Sequence, residues 1–390
     1  MPSLDLLVMC PVSTVGGTER VVFQVARAAV RAGLNVEALF TYPIEQHELM
    51  SWYKSEHIRV ATSPHLKPLR WRHLLSSLVG LRREVAALAP KAVNLHNPGN
   101  TILATDVMAL RLAKVPRVIC SVHHPLEPAN LPSSWKLSTR VAARLCDRIV
   151  VTSPTLKANM ESMGVPKEVL QIVPLGVEPL RRRLDRTEAR KELGIPEDAF
   201  VVGGLARMEP YKRLDVLIRA CSAVPEFGRR GFLLLAGTGR EETRLRTLAA
   251  EWLPNGHRFL GSIADLSAFY ASLDLFALLS ELEGFGLVYA EAGLAGAPSA
   301  GCDAGGARFA IRHGETGILL PVNRPEEFSE VLAGLMENPA TLCRLGQAAK
   351  RLAETELSLS AFEERYLKLL FPGRSAPMIR EALLPRTASK

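Results

Sequence analysis

The feature that most limits what this chain can become is a repeated alternation of short apolar runs with longer helical stretches. "LDLLVMC" (4–10), "NVEALF" (35–40), "KAVNLH" (91–96), "RVICSVH" (117–123) and "DRIVVTS" (147–153) form a first series. Between the first two, residues 18–32 place Val21, Val22, Val25, Ala26 and Ala29 on one helical face, and Gly33 follows as a stop. A second series runs "FVVGGLA" (200–206), "FLLLAG" (232–237), "HRFLGS" (257–262), "DLFALLS" (274–280) and "GILLP" (317–321). Its helices are expected over 212–223, 240–252, from about 286, and over 325–336 and 339–355. Such alternation is the signature of parallel sheets covered by helices.

At 390 residues the chain exceeds one ordinary core. The expected fold is therefore α/β, with two consecutive doubly wound domains over 1–178 and 179–355 and a tail over 356–390 that holds a terminal helix. After "LQIVPLGVE" (170–178), the stretch "PLRRRLDRTEARKELGIPEDA" has the charge and prolines of a connector. In open sheets of this kind ligands bind beyond the carboxyl ends of the strands, so site residues are sought there.

Several function classes recede on composition. No apolar run approaches the ~20 residues of a spanning helix. The start, "MPSLDLLVMCPVSTVGG", lacks a basic leader and reads as a first strand, not a signal peptide. Six cysteines are scattered without a CxxC or Cys/His pairing, which suits reduced thiols in a cytosol and offers no zinc framework. A net charge of +8 invites anionic partners. The basic residues are densest at Arg181 to Arg183 and in "HLKPLRWRHLLSSLVGLRREVAAL" (65–88). The latter reads either as an amphipathic helix packed on its own domain with a solvated basic rim, or as a docking surface for anionic lipid heads. No motif for nucleic acid is visible, so nucleic acid is not an expected partner.

Four stretches carry chemistry. In "PVSTVGGTERVVF", Gly16 and Gly17 open the backbone where a strand meets a helix, and helix-start amides favour an anion or hydroxyl. The pattern is not GxGxxG and no acidic residue follows the second strand, which argues against a nicotinamide or flavin cofactor. In "GGLARMEPYKRLDVLIRA", Arg207 and Lys212 stand at a strand–loop–helix junction, as two cations for a diphosphate or as solvated surface charge. "VICSVHHPLEP" ends a strand in His123 and His124. His96 ends the neighbouring strand, but no third ligand sits at metal spacing and no metal is expected. Finally, "ELEGFGLVYAEAGLAGAP" (281–298) puts Glu283 on a loop and Glu291 inside the following helix. The pair could be a hydrolase couple, two acceptors for vicinal sugar hydroxyls, or a capping glutamate and an ion pair. The amides of Phe285, Gly286 and Leu287 are helix-start donors beside them.

Together these stretches resemble glycosyltransferase family 4, the retaining transferases of GT-B architecture. "GGTERVVFQVARAAVRAGLNV" is similar to the family's Gly-Gly-x-Glu opening, and "VVTSPTLKANMESMGVPKEVLQIVPLGVE" to its serine-bearing strand and pre-linker segment. "GGLARMEPYKRLDVLI" and "LSELEGFGLVYAEAGLAGAPSAGCDAGGARFAIRHGETGILLP" resemble its two donor-site segments, the latter with two glutamates seven residues apart.

The resemblance implies two Rossmann-like domains facing across a cleft, the first for the acceptor and the second for the nucleotide sugar, with the terminal helix crossing back to the first. It implies that Arg207 and Lys212 hold the donor diphosphate of a UDP- or GDP-sugar. Glu291 would bind the ribose, and Glu283 the sugar hydroxyls with the amides of Phe285, Gly286 and Leu287. His123 would approach the sugar from the first domain, with Gly16 and Gly17 near the transferred sugar. The acceptor would be lipid-linked or saccharide, the chemistry metal-independent and free of cofactors. The location would be cytoplasmic, with peripheral attachment to a membrane's cytoplasmic face open. A GT-B epimerase or a nucleotide-sugar-binding protein without chemistry shares the architecture. The chain departs from the family pattern at His124, where aspartate is frequent. It departs again at Arg213 in place of glycine, and at Ala307-Arg308-Phe309, where a glutamate often follows Gly305-Gly306.

Overall fold

In a computed structural model, residues 4–11, 17–41, 48–66, 74–97, 99, 101–123 and 128–373 are described. The chain divides into two compact units, Met1–Leu175 with Ser360–Lys390, and Gly176–Leu359. Each is a Rossmann-like α/β sandwich, and the fold is GT-B.

The first unit opens with β1 (Leu6–Cys10), α1 (Gly17–Arg31), β2 (Val36–Phe40), α2 (Glu48–Ser55) and β3 (Arg59–Thr62). It continues through α3 (Leu74–Leu88), β4 (Ala92–Asn97), α4 (Ala104–Leu112) and β5 (Arg117–Val122). It goes on with α5 (Ser133–Leu145), β6 (Arg148–Val151), α6 (Pro154–Ser162) and β7 (Leu170–Ile172). Its sheet has the order β3-β2-β1-β4-β5-β6-β7, and its strand pairs are parallel. The chain reverses direction across the sheet between β1 and β4. Strands β1, β2 and β4 are buried along their whole length; β1 is a continuous apolar run, while β2 and β4 also bury Glu37, Asn94, His96 and Asn97.

The second unit begins with a helix that composition concealed. The presumed connector contains α7 (Arg186–Leu193), opened by a capping box in which Asp185 and Glu188 satisfy each other's amides. Buried Arg190 fixes this helix to the sheet through Asp274, 2.6 Å away, and Asp274 also accepts from the amide of Val201. The dense charge there is structural. Arg182 pairs with Glu192 and Asp265, so that stretch is not a free basic patch.

Then follow β8 (Phe200–Leu205), α8 (Leu214–Ser222), α9 (Pro225–Arg230), β9 (Gly231–Ala236) and α10 (Glu242–Trp252). After them come β10 (His257–Phe259), α11 (Ser267–Ala271), β11 (Leu275–Leu278) and α12 (Leu287–Leu294). β12 (Ser299–Cys302), α13 (Ala307–Ala310), β13 (Gly317–Leu320), α14 (Phe328–Glu337) and α15 (Pro339–Thr355) complete the unit. Its sheet order is β10-β9-β8-β11-β12-β13, with parallel pairs throughout. Here the direction reverses between β8 and β11. Two strands, β3 and β12, lie where no apolar run announced them; "RVAT" is half exposed and "SAGC" is made of small residues.

The last helix, α16 (Leu359–Leu370), belongs to the first unit from Ser360 onward. Phe362, Tyr366, Leu367 and Leu370 bury one face of it. Arg117 donates twice to the carbonyl of Leu369, at 3.2 and 2.9 Å, and satisfies the open end of the helix.

Candidate functional site

The residues singled out in the second unit come from the carboxyl ends of β8 and β11. Those are the neighbouring strands between which the sheet reverses direction. Helices leave β8 and β11 toward opposite sides there, and the gap between the two departing loops is the one place in such a sheet built to take a ligand.

From β8 the chain runs through Arg207, which is exposed, into a short 3-10 turn, Pro210–Lys212. Arg207 donates to the hydroxyl of Tyr211 at 3.0 Å, and the Lys212 ammonium lies 5.2 Å from the Tyr211 ring centre. From β11, Ser280 and Glu281 clasp the same turn through the carbonyl of Tyr211, at 3.3 and 2.9 Å. The two loops are thereby locked together. Across them Lys212 Nζ meets Glu283 Oε1 at 2.6 Å, with both side chains largely buried. A partly buried carboxylate is costly alone, and this cation offsets that cost. Glu291, on α12, is half-buried and accepts from Tyr270 at 2.7 Å. Each glutamate is thus oriented by a partner of its own, Glu283 by Lys212 and Glu291 by Tyr270.

Glycines shape the loop that follows. Gly286 takes a left-handed φ of 80° and begins α12, with no side chain capping the helix start. Tyr289 N donates to the carbonyl of Gly286 at 3.0 Å, and the amides before it stand at the open helix start, where solvent or a ligand can meet them. Phe285 is buried and stacks on Phe309, with ring centres 6.0 Å apart. Below, Tyr289 donates to the carbonyl of Leu278 at 2.8 Å and ties α12 to the end of β11. After β12, Gly305 and Gly306 press backbone to backbone on this loop, and Gly306 N donates to Glu283 O at 3.1 Å.

Two departures from the family pattern find physical accounts. Arg213 has φ 50°, a conformation glycine adopts at little cost, and is held there by Glu281 and by a 2.6 Å bond to the carbonyl of Val322. Arg308 pairs with Asp303. His124 lies outside the described residues, as do Gly16 and positions 67–73. Gly17 is the first residue of α1.

In the first unit His123, just past β5, and His96, near the end of β4, form a pair: Nδ1 of His96 and Nε2 of His123 are 2.9 Å apart. Tyr366 stacks near His96 and shares a 2.5 Å hydrogen bond with Ser121, which also accepts from Asn94. The other ring nitrogens, Nε2 of His96 and Nδ1 of His123, are buried without a partner. Ends of adjacent strands were the available sign of this pairing; nothing in the sequence pointed to Tyr366, from a helix 243 positions later.

Burial lowers both imidazole pKa values. His96 lies well below its ordinary value, with neighbouring His123 adding to the effect, and His123 falls to about 4. The unfolded chain titrates near about 6.5. Between those values the unfolded state binds protons that the folded state refuses. Stability is therefore full above the unfolded value and is lost as pH falls through it toward 4. From about pH 7 to about pH 5, His123 alone should remove about 2 kcal/mol. His123→Gln should flatten the fall of the thermal midpoint with pH, and an equally steep fall in the variant would rule the pair out as its source.

A cavity of about 280 Å³ lies elsewhere, among Pro196, Phe227, Arg229, Trp252 and Pro254. It sits at the amino ends of the strands, the wrong end for a ligand in this sheet type. Among the described residues no group of three His, Cys, Asp or Glu side chains could hold a metal ion.

Comparison with known proteins meets this geometry from another side. Residues 185–352 match the family model for glycosyl transferases group 1, and residues 15–181 match that for Glycosyltransferase Family 4. The chain belongs to glycosyltransferase family 4. This family member is 32% identical over 235 residues to a D-inositol 3-phosphate glycosyltransferase of Rhodococcus erythropolis, a match covering 57% of this chain and 53% of that one. It thus spans about half the length of that relative. It is 28% identical over 282 residues to a GDP-mannose-dependent monoacylated alpha-(1-6)-phosphatidylinositol monomannoside mannosyltransferase of Corynebacterium glutamicum, covering 69% of this chain and 73% of that one. Among solved structures, Anabaena HepE in complex with UDP superposes with a TM-score of 0.81 at 20% identity, over 94% of this chain and 99% of that one. At that identity the likeness speaks for the fold.

Proposed function

We propose that this family 4 member is a retaining glycosyltransferase that moves a sugar from a UDP- or GDP-sugar to a lipid-linked or saccharide acceptor without a metal. The observation that carries the reading is the interlocked pair of loops at the β8/β11 reversal, where Arg207, Lys212, Glu283 and the start of α12 meet. Arg207 and Lys212 grip the donor diphosphate, the guanidinium by its planar fork and the ammonium as a point charge. The uncapped amides of Phe285, Gly286 and Leu287 add donors for phosphate or sugar oxygens. Glu283, aimed by Lys212, accepts from sugar hydroxyls; Glu291, aimed by Tyr270, accepts from the ribose. His123, Gly16 and Gly17 are assigned to the transferred sugar on the family's pattern alone.

In the reaction the bond from the sugar's anomeric carbon to the phosphate oxygen breaks, and a bond to the acceptor oxygen forms on the same face. The departing phosphate takes the acceptor's proton. Charge builds on that phosphate, and fixed cations beside it stabilise the transition state more than the ground state. The UDP in the HepE structure and the GDP-mannose in the mannosyltransferase's name support a nucleotide donor of either base.

Thermal shift with UDP, GDP and ADP and their sugars, in the presence of EDTA, tests the reading. One nucleotide diphosphate should raise the midpoint, and none doing so would sink the proposal. Glu291→Ala should weaken nucleotide binding about 10- to 100-fold, the worth of one or two hydrogen bonds to a charged group. Unchanged binding would place the ribose elsewhere.

A further inference from the structure

Among the described residues, five of the six exposed large hydrophobic side chains lie on three consecutive helices of the first unit: Leu75 and Val79 on α3, Met108 and Leu112 on α4, and Leu137 on α5. These helices pack side by side, α3 on α4 and α4 on α5. Their inner faces are spent on the core through Leu81, Val85, Val107, Leu110, Ala142 and Ala143. On α3, Leu75, Val79 and Arg82 or Arg83 recur at helical spacing; on α4, Met108 and Leu112 do the same. Arg82 donates to the carbonyl of Leu112 at 3.4 Å, which brings the α3 cations against the apolar end of α4. Leu75 is 81% exposed and Leu137 59%, so these side chains have water where a folded protein ordinarily places atoms.

The charges on the same layer have one sign. Arg82, Arg83, Lys114, Arg140 and Arg144 are exposed. The acids of the three helices are turned away or inward: Glu84 is engaged by Ser63 and His65, and Asp106 is buried. Asp147, just past α5, is engaged by Arg111.

We propose that the outer face of α3, α4 and α5 docks flat on an anionic lipid bilayer. The leucines, valine and methionine enter the headgroup boundary and the ring of arginines and lysines meets lipid phosphates. No described helix is long and apolar enough to cross a membrane, so the contact is lateral. A second copy of the chain is a poorer occupant, because a two-fold contact would set this cationic face against itself. A nucleic acid would leave the exposed leucines without a use. The surface joins the described helix of the basic 65–88 stretch, Leu74–Leu88, to α4 and α5, and does not depend on the donor site.

The test is sedimentation of the full chain with phosphatidylcholine vesicles, with and without phosphatidylglycerol. Wild type should pellet with the anionic vesicles only, and less at high salt. Leu75→Ser with Leu112→Ser should abolish pelleting at an unchanged thermal midpoint. Arg82→Gln with Arg83→Gln should weaken it about 30-fold, at about one fivefold step per charge. Trp252→Ser removes an exposed apolar side chain of the second unit and should change nothing. Equal pelleting of the serine variant, no pelleting of wild type, a dimer that the serine changes dissolve, or equally tight binding to RNA would each overturn the proposal.

Discussion

Lys212→Met is expected to lower turnover of the nucleotide sugar by about 10²- to 10³-fold, the usual cost of removing one group aimed at developing charge. The ammonium is fixed before substrate arrives. It sits 2.6 Å from Glu283, on a turn clasped from β11 through the carbonyl of Tyr211. Removing it also strands a largely buried carboxylate, so the single variant should lose stability by about 3 kcal/mol as well. The two effects separate in the double variant. Lys212→Met with Glu283→Gln leaves no unpaired charge and should regain most of the thermal midpoint, while turnover stays low. If the double variant recovered turnover together with stability, Lys212 would be a structural partner only. Wild-type turnover in Lys212→Met would end the diphosphate assignment.

Gly305→Ala should be the most damaging small substitution in the second unit, at about 2–4 kcal/mol from backbone strain and overpacking together. Its φ is 55°, and an added Cβ would lie 1.7 Å from the carbonyl oxygen of Glu283, a backbone atom with no rotamer to yield. Either the β12 loop or the Glu283 loop must move, and donor affinity should fall with stability. Gly314→Ala is the control. It shares the left-handed backbone, at φ 75°, but a Cβ there meets nothing within 4 Å. It should cost only about 1 kcal/mol. Similar midpoints for the two variants, read by thermal unfolding, would show that close approach at Gly305 is not what matters.

The donor-side candidates were legible because their position is a property of the chain's order. Arg207 and Lys212 follow one strand, Glu283 and Gly286 another, and a βα unit always delivers the residues after a strand to its carboxyl end. The His96–His123 pair was only half legible. Both residues end strands read as neighbours, but that their rings meet at 2.9 Å beside Tyr366 depends on strand register and on a helix far along the chain. The missed helix α7 had an ordinary reason too. Its anchor is Arg190 to Asp274, 84 residues apart, and local composition showed only charge.

What the sequence determined by itself was the class of fold, two parallel α/β units, and the glycine-punctuated loops, since periodicity and backbone freedom are local properties. Only the tertiary structure decided which charges are partners. It joined Lys212 to Glu283 across 71 residues, turned Glu291 toward Tyr270, neutralised Arg182, and left the cations of α3, α4 and α5 on one open face. Pairing depends on distances of a few ångströms, and those are set by which strands lie side by side, an order that no local pattern records.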